Sequence, residues 1–403
     1  MTDNYSELFS ADTASFMRSP VRDIFKRVDL SKIYSFAGGY PSPDAFDLEG
    51  LAEAAQQVMS QQGSKAFQYG ATQGVLELRQ ALASRYRVPV ERVQITTSSQ
   101  QGIDVLSRVL IDPGDVVLTS NPSYLGALQS FKSYRASIVG VRHCADAEQY
   151  RQRWEQAIGQ CRQQGKRVKF LYMISDFQNP SGETLPLSHR QVLVRLAQEH
   201  GFLIVEDSPY RDLRYSGNPV PTIYSLNHDV VVQLGSFSKV LAPGLRVGWM
   251  IGPEAVLEQV YVCKQGLDLC PPMLEQYIAA WFITTGRLDA NIAKIRALYS
   301  QRCELMQRLL VQLMPQGVTW TKPEGGLFLF LTLPEGFDSI KFYDRALSAG
   351  VAYVAGSFFS PEGSGRNTMR LNFSFMTPDR IEQGLRLLAR LVREEIDNIN
   401  KTK

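Results

Sequence analysis

An α/β fold built on a mainly parallel sheet, followed by a smaller α+β unit, is what this sequence predicts. Two observations carry that expectation. From about residue 48 to residue 236, near-continuous apolar, β-branched runs alternate with segments of helical period. Strands that are apolar throughout belong in a sheet covered on both faces by helices. The order then changes: a long helical stretch, roughly 273–314, precedes "GGLFLFLTL", "VAYVAG" and "MRLNFS", which read as strands of a second unit.

Taken in order, "LEGLAEAAQQVMSQQ" and "GVLELRQALASRYR" have helical period. "VQITTS" is a short strand and "QGIDVLSRVLI" a helix, and "DVVLTSNPSY" is a strand leaving into a loop. "ASIVGVRH" is a strand and "YRQRWEQAIGQCRQQ" a helix. "VKFLYMIS" is a strand ending at "DFQNPSG", and "LSHRQVLVRLAQEHG" is a helix with Gly201 at its end. "FLIVEDSPY" and "DVVVQLGS" are further strands, and "VGWMIG" turns apolar again after a small-residue loop. No internal repeat or low-complexity segment interrupts this pattern.

Composition bounds the function classes. At 403 residues the chain is too long for one small core, so one large and one smaller domain are expected. Apolar residues at 44% and charged residues at 21% are ordinary globular usage. A net charge of +3, from 43 basic and 40 acidic residues, gives no reason to invoke nucleic acid or a membrane surface. The five cysteines (Cys144, Cys161, Cys263, Cys270, Cys303) are an odd number without CxxC spacing, which argues for a reducing compartment and against a zinc site. The opening "MTDNYSELFSADTASF" does not read as a signal peptide, and no apolar run reaches the ~18 residues of a membrane span. The expectation is a cytoplasmic protein with no metal.

Polar residues fall at the ends of the expected strands. Ser99 and Gln100 follow "VQITTS", and Tyr124 follows "VVLTSNPS". Asn179 follows "FLYMISDFQ", Asp207 and Tyr210 follow "FLIVE", and Ser236, Ser238 and Lys239 follow "VVVQLG", with Arg246 seven positions beyond the lysine. Each alone is ordinary: a strand-end Asp is most often a turn residue, and a loop Lys is usually solvated. In a parallel sheet, however, all of them converge on the crevice beyond the carboxyl ends of the strands. That crevice would hold hydroxyls and an arginine for a phosphate, an aromatic ring, a carboxylate and one lysine.

This set suits pyridoxal phosphate. The cofactor needs a lysine that condenses with its aldehyde, a carboxylate against its ring nitrogen, an anion pocket and a flat surface to stack on. Lys239 and Asp207 supply the first two. Free lysine has a pKa of ~10.4 and a useful base needs roughly 7–8, so about three units, or about 4 kcal/mol, must come from desolvation and nearby cations.

On these motifs the sequence resembles the fold-type I, pyridoxal-phosphate-dependent aminotransferases of class I/II. "GSFSKVLAPGLRVGW" is similar to that family's lysine signature, "SSQQG" to its phosphate turn, and "NPSY" to its stacking-tyrosine loop. "QNPSG" is similar to its asparagine motif, "EDSPY" to its Asp–x–x–Tyr motif, and "MRLNFS" to the strand bearing its carboxylate-binding arginine. The resemblance implies a mainly parallel seven-stranded sheet in a large domain (45–290). It also implies a small domain (291–403) and an N-terminal arm (1–44) that joins the small domain. It further implies catalytic roles for Lys239, Asp207 and Tyr210. Ser99, Gln100, Ser236, Ser238 and Arg246 would bind phosphate, Tyr124 would stack on the ring, and Asn179 and Tyr210 would hydrogen-bond the ring oxygen. Arg370 would take the substrate α-carboxylate. Tyr69, in "FQYGATQG", resembles the tyrosine that reaches the neighbouring subunit's phosphate, which implies a homodimer with shared sites.

Two stretches resemble the 2-aminoadipate and kynurenine aminotransferase branch: "SPVRDIFK" with "YSFAGGYPSPDAF", and "KQGLDLCPPMLEQ". The branch implies a distal-carboxylate contact for Arg22 and a substrate contact for Gly39; a solvated terminal charge is the competing reading for Arg22. The chain departs from the branch at Tyr40, where leucine is usual, and at Cys270–Pro271, where His and a small residue are usual. The expected function is amino transfer between an L-amino acid (2-aminoadipate, aromatic or branched-chain type) and a 2-oxo acid such as 2-oxoglutarate, by a ping-pong mechanism. A decarboxylase, β-lyase or oxidase of the same fold would keep most of these residues. An aminotransferase-like regulatory sensor is disfavoured, since only about a hundred residues precede "SSQQG" and no basic recognition helix is evident.

Overall fold

The computed structural model describes residues 5–10, 13, 16 and 32–401. In chain order the strands are β1 (Tyr34–Ser35), β2 (Val93–Thr96), β3 (Val116–Asn121), β4 (Ser137–Arg142), β5 (Val168–Met173), β6 (Leu203–Asp207) and β7 (Val231–Ser236). They continue with β8 (Gly248–Ile251), β9 (Thr319–Trp320), β10 (Phe328–Thr332), β11 (Val351–Ala352), β12 (Val354–Ala355) and β13 (Thr368–Asn372). Seven of them form the main sheet, in the order β2-β8-β7-β6-β5-β3-β4. All its pairings are parallel except those of β8, which runs antiparallel between β2 and β7.

Every residue of β3 and of β7 is buried. Because neighbouring side chains on a strand point to opposite faces, both faces of the sheet are covered. Helices follow the strands in turn, including Ser98–Leu110, Leu125–Ser133, Ala147–Gln163 and Leu187–His200. The sequence explains their ends. Asp146 accepts the Gln149 N–H to cap one helix, and Gly201 closes another in the left-handed region. Aromatic rings fill the core beneath: Phe131 meets Phe170 and Tyr172 edge-on, with ring centres 5.4 and 5.5 Å apart.

The second unit is a four-stranded antiparallel sheet, β12-β13-β10-β9, beside a two-stranded parallel pair of β1 and β11. Two expectations need correction here. "VAYVAG" is not one strand: Val351–Ala352 pair with the N-terminal β1, whereas Val354–Ala355 pair with β13. The buried Tyr353 is the point at which the chain crosses between sheets. The stretch 273–314 is likewise two helices, Met273–Thr284 and Arg287–Leu313, parted at Gly286, whose φ of +74° suits glycine. Pairing of β1 with β11 brings the segment from Tyr34 to Tyr40 back from the N-terminal side toward the C-terminal ends of the main strands. No helix of the described residues is long and apolar enough to cross a membrane.

Candidate active site

Lys239 leaves the core within three residues of β7. Ser236 ends that strand, and its hydroxyl accepts the Ser238 N–H at 3.1 Å and donates to the Ser238 hydroxyl at 2.9 Å. This local turn sends Lys239 into a cleft where its Nζ donates to the Gly39 carbonyl at 2.9 Å, 200 residues away in sequence. Gly39 is tight against the same cleft: a Cβ there would sit 3.1 Å from the Phe328 ring. Burial pulls the Lys239 amine down to about 8, the charges of Arg370 and Arg246 push the same way, and Asp207 opposes them. The sequence expectation assigned this work to desolvation, the cofactor and nearby Arg246; the structure adds Arg370.

Opposite stands an anion cradle. The helix Ser98–Leu110 starts directly after β2, so Ser98, Ser99 and Gln100 form its first turn and its unpaired N–H groups face the cleft end of the sheet. Ser98 itself has φ +66°. Arg246, also in the left-handed region, reaches across from the lysine loop and donates to the Ser98 hydroxyl. Gly248 lets β8 pass beneath this turn, since a Cβ there would lie 2.6 Å from the Ser98 carbonyl carbon.

Asp207 ends β6 and is 1% exposed. Its Oδ2 accepts the Tyr172 hydroxyl at 2.8 Å, while its Oδ1 is buried with no partner. Burial raises its carboxyl to about 7, against the Tyr172 hydrogen bond and the Lys239 charge, which lower it. Such an orphaned oxygen costs free energy unless a donor is brought to it, as the ring N–H of a bound pyridine would be. Tyr124 caps the helix after β3, and its hydroxyl donates to Gln100 at 3.2 Å. Arg370, on β13, is 4% exposed. One of its nitrogens donates to Asn179 at 2.6 Å, another to the Ala37 carbonyl, and its guanidinium lies 4.2 Å over the Phe328 ring. Burial lowers it only to about 10, so it stays charged at neutral pH. Tyr210 meets Phe328 edge-on at 5.8 Å.

Apart from Tyr172, Phe328, Ala37 and Gly248, which stand behind them, these groups line one cavity of about 1390 Å³. Every residue expected in the site lines it except two. Tyr69 is 79% exposed and faces a separate surface depression beside Cys270 and Met273, so one copy of the chain does not bring it to the cleft. Arg22 lies outside the described residues. Three residues escaped the sequence reading. Ser98 was hidden because either serine of "SSQQG" suits a phosphate turn. Tyr172 was hidden inside an apolar strand, where its only signal is that a buried phenol needs a partner. Phe359 lines the cavity 5.0 Å from the Arg370 guanidinium and reads as plain core in sequence.

The arrangement offers an amine that is part unprotonated near pH 8, a buried carboxylate with a free oxygen, an anion cradle and a guanidinium. Its donors and ring faces fit pyridoxal phosphate.

Residues 36–388 match the family model described as aminotransferase class I and II. The chain is 40% identical over 402 residues to aromatic-amino-acid aminotransferase 1 of Thermococcus litoralis, covering 98% of this chain and 96% of that protein. The crystal structure of Pyrococcus horikoshii kynurenine aminotransferase, in complex with PMP, with KYN as substrate and KYA as product, is similar with a TM-score of 0.93. It shares 39% identity and covers 98% of both chains. An α-aminoadipate aminotransferase from Thermus thermophilus, complexed with N-(5'-phosphopyridoxyl)-L-leucine, has a TM-score of 0.90 at 34% identity, covering 98% of this chain and 99% of that one.

Proposed function

This chain belongs to the class I and II aminotransferases, fold-type I enzymes that use pyridoxal phosphate, and from that premise we propose that it moves amino groups between aromatic or 2-aminoadipate-type L-amino acids and a 2-oxo acid such as 2-oxoglutarate. The observation that carries the reading is the convergence of the Lys239 amine, the unpartnered Asp207 Oδ1 and the Arg370 guanidinium on one cavity. The names of the relatives favour these two donor types.

Bound pyridoxal phosphate supplies an aldehyde that amines condense with and a protonated ring that takes up the electron pair of a deprotonated Cα. In this reading the unpartnered Asp207 Oδ1 would accept the ring N–H and so favour the protonated ring. Ser98, Ser99, Gln100, Ser236, Ser238 and Arg246 hold the phosphate. Tyr124 would stack on the cofactor ring, and Asn179 and Tyr210 would hydrogen-bond its ring oxygen. The Lys239 amine would take up the substrate Cα proton as a base and, once protonated, would return a proton as an acid. Arg370 grips the α-carboxylate with its planar fork and so serves every substrate alike. Selection among side chains then falls to what lines the rest of the cavity, Tyr40, Leu125 and Phe359 for apolar and aromatic donors; Arg22, outside the described residues, is proposed from its sequence motif as the contact for a distal carboxylate. Both substrates use this cavity in turn, which is the ping-pong pattern.

A panel of amino donors with 2-oxoglutarate or pyruvate tests the proposal. The expected result is amino transfer from aromatic donors and 2-aminoadipate to 2-oxoglutarate, with parallel-line kinetics. Release of carbon dioxide, or 2-oxo acid formation without an acceptor, would place the reaction among the other pyridoxal phosphate chemistries. Arg22→Ala should raise KM for dicarboxylic substrates, by about tenfold, and leave neutral donors nearly unchanged.

A further inference from the structure

The turn that opens the helix Ser98–Leu110 faces the cavity, yet it is held from its other side by a charged group the site does not use. Lys264, on the helix Glu254–Gln265, has a side chain 0% exposed. Its Nζ donates to Gln101 Oε1 at 3.0 Å and to both oxygens of Asp268, at 3.0 and 2.8 Å. Gln101 Nε2 donates to Asp268 Oδ2 at 2.6 Å, which closes a ring of three side chains. The ring then grips the backbone: Gln101 Oε1 also accepts the Thr97 N–H at 2.7 Å. Thr97 makes no cap bond with its own side chain.

The placement matters because the turn is strained. Ser98 sits at φ +66°, a region costly for a residue with a Cβ, and such a conformation persists only when the surroundings over-determine it. Arg246 and the close passage of Gly248 constrain Ser98 from the cavity side and below. The ring constrains the residue just before it. A wholly buried ammonium is expensive where an apolar residue of equal length would fill the space, so what it adds is geometry.

We propose that Lys264, acting through Asp268 and Gln101, is a positioning residue for the cofactor phosphate: it holds the Thr97–Gln101 turn in the shape that aims its N–H groups and hydroxyls at that anion. This rests on the assignment of the turn to the phosphate. Lys264 itself touches neither cofactor nor substrate. Its loss therefore selectively weakens ligands that carry the phosphate.

The test compares the dissociation constants of pyridoxal phosphate and of pyridoxal, which lacks the phosphate, for the full chain and for Lys264→Met. The expected result is about tenfold weaker binding of pyridoxal phosphate with pyridoxal nearly unchanged. Equal weakening of both ligands, or an unchanged constant for pyridoxal phosphate in a variant with a native near-UV spectrum, overturns the proposal. Gln101→Leu keeps the Lys264–Asp268 pair but removes every Gln101 side-chain bond, to Lys264, to Asp268 and to Thr97, and so uncouples the pair from the turn; it should give the same selective loss, and it decides the matter if Lys264→Met does not fold. A wild-type chain that binds pyridoxal as tightly as pyridoxal phosphate would instead remove the phosphate assignment of the turn, and this proposal with it.

Discussion

Lys239 and Asp207 in the cleft are set against their ordinary titration, and both yield predictions. Lys239, lowered to about 8, is unprotonated in growing fraction as pH rises through that value. Uptake of pyridoxal phosphate onto the protein, followed by its absorbance, should quicken through pH 8, and Lys239→Ala should abolish both borohydride trapping and turnover. A pH-independent uptake rate would contradict this assignment. Asp207 is raised to about 7, so between its unfolded value of 3.8 and about 7 the folded, cofactor-free chain holds a proton that the unfolded chain has lost. Its contribution is favourable to folding at low pH and is lost as pH climbs through 7. Without cofactor, Asp207→Asn should therefore be the more stable protein at pH 8, by on the order of 2 kcal/mol in denaturant unfolding. The same variant should bind the cofactor more weakly and lose amino transfer by orders of magnitude. Tyr172→Phe removes the hydrogen bond that lowers Asp207. The acid limb of its kcat profile should move to higher pH while KM changes little, and an unmoved limb would leave Tyr172 only a packing role.

Between residues and the whole lies the behaviour of strand ends. Strands β5, β6 and β7 run parallel and stop at the same edge of the sheet. Chemistry scattered over the sequence from Asn179 to Lys239 is thereby gathered without long loops. The antiparallel β8 serves differently. It returns under the turn at Ser98, and Gly248 is where the two backbones nearly touch. Gly248→Ala must push the Ser98 backbone or bend β8. It should destabilise the protein by about 1–3 kcal/mol in urea unfolding and weaken pyridoxal phosphate retention. A neutral effect on both would mean that the turn moves freely, contrary to its strain. At this scale the sequence was legible where period and composition agreed, as in the helices after β4 and β5. It was not legible at Val351–Ala355, because a five-residue apolar run has the same pattern whether it serves one sheet or two.

For the molecule as a whole, Tyr69 is exposed and lies outside the cleft, and the proposed homodimer would carry it to the site of a second copy. Phe67 and Tyr69 leave large apolar surface around the same depression. A homodimer with shared sites predicts complementation: mixing Lys239→Ala chains with Tyr69→Ala chains should restore part of the activity, since one hybrid site then carries both residues. Absence of recovery under proven subunit exchange, or a monomer by sedimentation, would count against it.

What the sequence determined by itself is the layer architecture and the identity of the residues at the strand ends. Both follow from local rules: buried strands must be apolar throughout, and departures from that pattern at Asp207, Ser236 and Lys239 stand out against it. What only the tertiary structure decided are the meetings between distant segments. Gly39 receives Lys239, Arg370 reaches Asn179, Tyr172 turns toward Asp207, and Lys264 braces the turn at Thr97. Each of these is a buried polar group meeting a partner far away in sequence, and nothing in the spacing along the chain names that partner. Burial makes the pairing obligatory, and the packing of the two units selects which groups meet.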